Sequence, residues 1–105
     1  MADRSFVVLL HVHLFFPESG SLKAKRAELN RVKAHLRQRM GASVAEVGHQ
    51  DSWQRSTLAV ALAGGSAGRC GDAADGIVRA LDARFPQGVR VERHLASWSD
   101  LDAVG

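Results

Sequence analysis

At 105 residues the chain has the length of one domain, and its 46% hydrophobic and 24% charged residues exclude general disorder. A lone cysteine, Cys70, excludes an internal disulfide and fits a reducing cytosol. The net charge of +3 is unevenly spread: residues 21–40 hold seven Lys and Arg against Glu28, and the remainder is net acidic. The opening MADRSFVVLLHVHLFFPE resembles a secretion signal in hydropathy only. Asp3 beside Arg4, the interruptions at His11 and His13 and the lack of a small-residue cleavage site argue against one. The run is also too short to span a bilayer. A cytoplasmic protein with no membrane partner is expected.

Phe6, Val8, Leu10, Val12, Leu14 and Phe16 alternate with a mixed set containing His11 and His13, which predicts a strand over 5–16 ended by Pro17. Ser21 is placed to cap a helix running to about Met40, with Gly41 as its stop. Leu22, Leu29, Val32, Leu36 and Met40 fall on one stripe of that helix. Strands are expected over 43–48 and 55–63, with a polar connection between them. GGSAG at 64–68 breaks the chain before a second helix over 69–85, which buries Cys70, Ile77, Val78, Leu81 and Phe85. Val89 and Val91 open a last strand, alternating with Arg90, Glu92 and His94. The acidic end SWSDLDAVG is expected to fray, with Trp98 as its anchor.

The order β-α-β-β-α-β predicts an α+β, ferredoxin-like domain over residues 1–96, followed by a short tail over 97–105. Both helices would cover one face of a four-stranded antiparallel sheet. The other face would be centred on Val7, Leu9, Ala59 and Ala61, small and apolar enough to pair with a second copy in a homodimer. Those positions carry no aromatics, which argues against bases stacking on the sheet as in RNA-recognition motifs. FFPESGSLKAKR likewise lacks the glycine-rich, arginine-bearing loop of an acylphosphatase.

Two stretches carry the functional reading. On the first helix, Lys23, Arg26, Asn30, Lys33 and Arg37 form a basic strip beside the apolar stripe. Lys25 lies on its other flank, where a long stem covers core and leaves the ammonium free. Cations in the first turn oppose the helix dipole, and a docked anion would reverse that penalty. The strip is therefore read as a phosphate-backbone contact, against the plainer reading of a solvated face.

GHQDSWQR, residues 48–55, is longer than a hairpin requires. As structure, Gly48 permits a bulge, Asp51 bonds the turn and Trp53 covers a core edge. As recognition, Trp53 stacks on a base while His49, Gln50, Gln54 and Arg55 supply polar contacts. As catalysis, His49 and Asp51 would be base and orienter, but no nucleophile accompanies them. His11, His13 and His94 share a sheet face without a carboxylate or cysteine at tight spacing, so no metal or other cofactor is expected.

Ser21-Leu22-Lys23-x-Lys25-Arg26 followed by Ala45-Glu46-Val47-Gly48-x-Gln50-Asp51-x-Trp53-Gln54-Arg55 resembles the YlxP-like family of small bacterial proteins, over roughly residues 5–95. The resemblance implies a ferredoxin-like fold and a setting among translation and ribosome-maturation genes, with no established reaction. The expected function is a non-enzymatic accessory protein that binds structured RNA on a ribosomal particle. Fold and charge point to RNA, and only the resemblance points to the ribosome. The alternatives are a small enzyme using His49 and Asp51 on a phosphorylated substrate, and a structural homo-oligomer.

Overall fold

In the computed structural model, which describes residues 4–104, the central element is strand β1 (Phe6–Phe15). Its period of two holds: Val8, Leu10, Val12 and Leu14 are buried, and Leu9, His11 and Phe15 on the opposite side are exposed. On either side of β1 run β3 (Arg55–Gly64) and β4 (Arg90–Ser97), both antiparallel to it. β2 (Ser43–Gly48) pairs with β3 at the edge, giving the order β2-β3-β1-β4. With its two crossover helices, this is the ferredoxin-like α+β arrangement that the sequence predicts.

Helix α1 (Leu22–Gln38) starts where Ser21 caps it, the Ala24 amide donating to the Ser21 hydroxyl at 3.0 Å. The chain leaves the helix through Gly41, whose φ of 68° suits glycine. Helix α2 (Ala67–Arg84) starts two residues earlier than predicted. Ser66, inside GGSAG, accepts the Arg69 amide at 3.1 Å and so makes the supposed break an N-cap. Leu29, Val32 and Leu36 of α1 and Cys70, Ala74, Ile77 and Leu81 of α2 pack with Leu58, Val60 and the buried face of β1 in one core. Phe85 closes that core, its ring edge-on to Phe16 with centroids 5.5 Å apart. Each large side chain in it contributes roughly 1.5–3 kcal/mol by leaving water.

The chain end differs from expectation. Trp98–Val104 forms a short helix, α3, where fraying was predicted. The Ser97 amide donates to the Asp100 carboxylate at 2.9 Å and the Asp100 amide to the Ser97 hydroxyl at 3.1 Å, a reciprocal capping box. Those bonds hold the Asp100 carboxyl below its ordinary value. The Trp98 amide donates to the Ser5 carbonyl at 2.9 Å, while its ring is 68% exposed, so the backbone is the anchor. Residues 1–3 of the predicted domain and residue 105 of the predicted tail lie outside the described residues. Among the described residues, no helix is long and apolar enough to cross a membrane.

Candidate functional site

The two sequence motifs meet in space, and the meeting point is Glu46. In β2 the side chains of Val44 and Glu46 lie on the helix side, two residues apart. The Glu46 side chain is only 8% exposed, and Lys25, at an α1 position in line with Leu29, Val32 and Leu36, is fully buried beside it. Arg26 donates from Nη1 to Glu46 Oε1 at 2.6 Å, Ser56 donates to Oε2 at 3.1 Å, and the Lys25 ammonium lies 3.7 Å from Oε2.

Burial alone would raise the Glu46 carboxyl, but the hydrogen bonds from Arg26 and Ser56 outweigh it and hold the group below the ordinary carboxylate range. Burial pushes the Lys25 ammonium down, with the Glu46 carboxylate pulling the other way. The anion that offsets Lys25 and Arg26 near the start of α1 is therefore the protein's own.

The same cations fix the connection between β2 and β3. Val47 is a bulge, since Glu46 pairs with Leu58 and Gly48 with Thr57. Gly48 fits there closely, because a Cβ would sit 3.1 Å from the Cβ of Thr57, a contact that Thr57 would have to relieve by a few tenths of an ångström. His49 then adopts φ 59°, uncommon for a residue other than glycine. Its carbonyl is held by the Lys25 ammonium at 2.7 Å and the Ser52 amide at 3.1 Å. Arg26 Nη2 donates to the Gln50 carbonyl at 3.2 Å, and the Gln50 amide group donates to the Glu46 carbonyl at 3.2 Å. The Gln54 side chain donates to the carbonyls of Pro17 and Ser19 at 3.2 and 3.4 Å. The segment is clamped onto the start of α1.

These contacts revise several expectations. Lys25 has no free ammonium: its side chain is buried and directed at Glu46 and the His49 carbonyl, so it presents nothing to an external phosphate. Arg26 and Arg37 keep exposure but hold partners on β2, Arg37 donating to the Val44 carbonyl at 2.7 Å. That contact satisfies a carbonyl on an edge strand, where unpaired backbone groups invite aggregation. The side-chain amides of Gln50 and Gln54 serve the turn. Trp53 does not cover the core, being 57% exposed.

Lys23, Asn30 and Arg55 are exposed and Lys33 is half-buried, and none of these side chains has an ion pair among the described residues. Among the described residues no hydrogen bond joins the His49 ring to the Asp51 carboxylate. On the open sheet face Val7, Ala59 and Ala61 are half-buried and Leu9 is 41% exposed. His13 on that face is engaged, with Nε2 2.7 Å from the Glu92 carboxylate and Nδ1 3.2 Å from the Thr57 hydroxyl. Among the described residues no three His, Cys, Asp or Glu side chains gather to hold a metal ion.

The family described as "Protein of unknown function (DUF503)" matches residues 7–93. The chain belongs to that family. "Uncharacterized protein YlxP" of Bacillus subtilis (strain 168) is 39% identical over 49 residues, covering 47% of this chain and 53% of that protein. The match thus spans about half the length of that relative. Among solved structures, "De novo designed protein Foldit4" superposes with a TM-score of 0.56 over 88% of this chain and 96% of its own, at 12% identity. A likeness at that identity speaks to fold alone.

Proposed function

We propose that this member of the family is a non-enzymatic, cytoplasmic accessory protein that binds structured RNA on a ribosomal particle. The observation that carries the reading is Trp53, a large aromatic ring 57% exposed on a turn whose carbonyls at His49, Gln50 and Gln54 accept from Lys25, Arg26 and the Phe16 amide. An exposed indole on a backbone already held in place needs no loop ordering when a base stacks on it, and such stacking contributes roughly 1–3 kcal/mol per base. Lys23, Lys33 and Arg55 supply cations without an ion pair among the described residues, available to phosphates of the same RNA. The ribosomal setting rests on the family resemblance.

Sedimentation of the tagged protein through a sucrose gradient, with and without nuclease, tests the reading. Co-migration with a ribosomal fraction is expected, and absence from every such fraction rejects the ribosomal partner. The reading includes a homodimer through Val7, Leu9, Ala59 and Ala61, which the described residues leave half-buried or exposed. Light scattering at tens of micromolar is expected to show two copies, and a monomer rejects that part.

A further inference from the structure

Beside the clamped turn, on the open side of the sheet, lies a cavity of about 160 Å³ that neither motif anticipates. Its walls include His13, His49, Arg55, Thr57 and Arg90. The sheet register explains why they converge. His13 of β1 is paired with Thr57 on one side and Arg90 on the other, and Arg55 pairs with Phe15 two residues along β1. Period two then puts all four side chains on one face at one end of the sheet. His49 is delivered from above by its left-handed backbone, held by Lys25.

We propose that this cavity is a binding subsite for a single phosphate group. Two arginines are permanently charged and offer planar sets of N–H donors matched to phosphate oxygens. Arg55 has no ion pair among the described residues. Arg90 has only a 3.5 Å approach to Glu92, whose carboxylate is engaged by His13 at 2.7 Å. Glu92 offsets part of the charge but does not line the cavity, so the wall that an anion meets is cationic. The Thr57 residue is buried, and its hydroxyl is already oriented by His13 Nδ1.

Size sets the ligand class. The space is several times the roughly 30 Å³ share of a water molecule, and well below the roughly 300–1,000 Å³ of pockets that enclose whole small molecules. A phosphate fits inside while the rest of its carrier stays outside. The carrier is either an RNA backbone or a small phosphorylated metabolite. The subsite stands on its own geometry and does not require the RNA reading.

Titration of the labelled protein with inorganic phosphate, followed by amide NMR against chloride at matched ionic strength, tests it. Saturable shifts confined to the neighbourhood of Arg55, Thr57 and Arg90 are expected. Arg55→Met with Arg90→Met should weaken them about tenfold or more, as loss of a charge-assisted hydrogen bond does. Both residues are exposed, so the fold should survive, and Arg90→Gln alone provides a milder variant. Shifts no larger than those of chloride, or unchanged in the double variant, overturn the proposal.

Two further arms identify the carrier. If the double variant lowers the salt dependence of binding to an RNA hairpin, the phosphate is a backbone phosphodiester. If RNA binding is unaltered while ribose 5-phosphate displaces inorganic phosphate, the carrier is a small phosphomonoester. Phosphate binding without any RNA binding would defeat the RNA reading and leave the subsite standing. RNA binding through Trp53 with an inert cavity would do the reverse.

Discussion

Lys25, Arg26 and Arg37 bond partners within their own chain, whereas Lys23 and Lys33, drawn from the same helix, make no ion pair among the described residues. By the sign of their charge the two groups are indistinguishable. What separates them is the neighbouring strand, because β2 supplies an inward carboxylate and an edge carbonyl within reach of one group and not the other. A basic helix is therefore weak grounds for an external anion until the acids facing it have been counted. In this chain part of the charge segregation is internal structure, and only the remainder is available to a partner.

The largest expected effect tests that division through stability. Glu46→Ala leaves the Lys25 ammonium buried without its carboxylate, and Lys25→Ala also removes a stem packed in the core. Each should cost about 3–5 kcal/mol in urea unfolding, the range for breaking one side of a buried pair. Lys23→Ala and Lys33→Ala should stay within about 0.5 kcal/mol of the parent. If Glu46→Ala is as mild as these two, the internal role assigned to the first group fails.

Acid provides a gentler probe of the same carboxylate. Glu46 has a folded pKa depressed from 4.5, so the unfolded chain binds its proton more tightly. Its contribution is present above the unfolded value and is lost as pH falls through the folded one. The thermal midpoint of the parent should therefore drop on acidification, and a Glu46→Gln protein should start lower and drop less. Equal pH slopes in the two proteins would remove Glu46 from the account.

How far the sequence reveals this arrangement depends on the element. The strand periods, both helices and their order are legible, because alternation in β1 and the Ser21 and Gly41 signals are local and agree with one another. The site is less so. Lys25 occupies the core stripe with Leu29, Val32 and Leu36, and Glu46 shares the inward side of β2 with Val44. Each alone resembles a surface residue slightly out of place. Only as a complementary pair, at inward positions of two elements joined by a turn, do they signal a buried contact.

His49 is harder still to read, because one of the two bonds that hold its left-handed backbone comes from Lys25 across the fold. The convergence of Arg55 and Arg90 on one cavity needs the register of three strands. The α3 capping box, by contrast, was available as Ser97 and Asp100 three residues apart.

On the outer side of the comparison, Trp53→Ala should leave unfolding almost unchanged, since the ring is mostly in solvent and the turn is held by its neighbours. RNA affinity should fall by roughly 1–3 kcal/mol with the salt slope preserved. A folded Trp53→Ala protein that binds RNA like the parent would remove the recognition role from the turn.

The smallest effect sharpens the division most. Lys23→Ala with Lys33→Ala should weaken RNA binding modestly at physiological salt and reduce the slope of log affinity against log salt by about 0.7 per phosphate contact on single-stranded RNA. Charge on a solvated side chain acts chiefly through counterion release, so its removal is visible in that slope before it is visible in affinity at any one salt concentration. Arg26→Ala is the informative contrast. Its guanidinium is held by Glu46 and by the Gln50 carbonyl, so it releases few counterions on binding. Its loss should lower the thermal midpoint and loosen the turn beneath Trp53, weakening RNA binding while leaving the salt slope near the parent's. Were Arg26→Ala to flatten the slope as much as the double variant does, Arg26 would leave Glu46 for a phosphate in the complex. The boundary between the two groups of cations would then depend on the bound state.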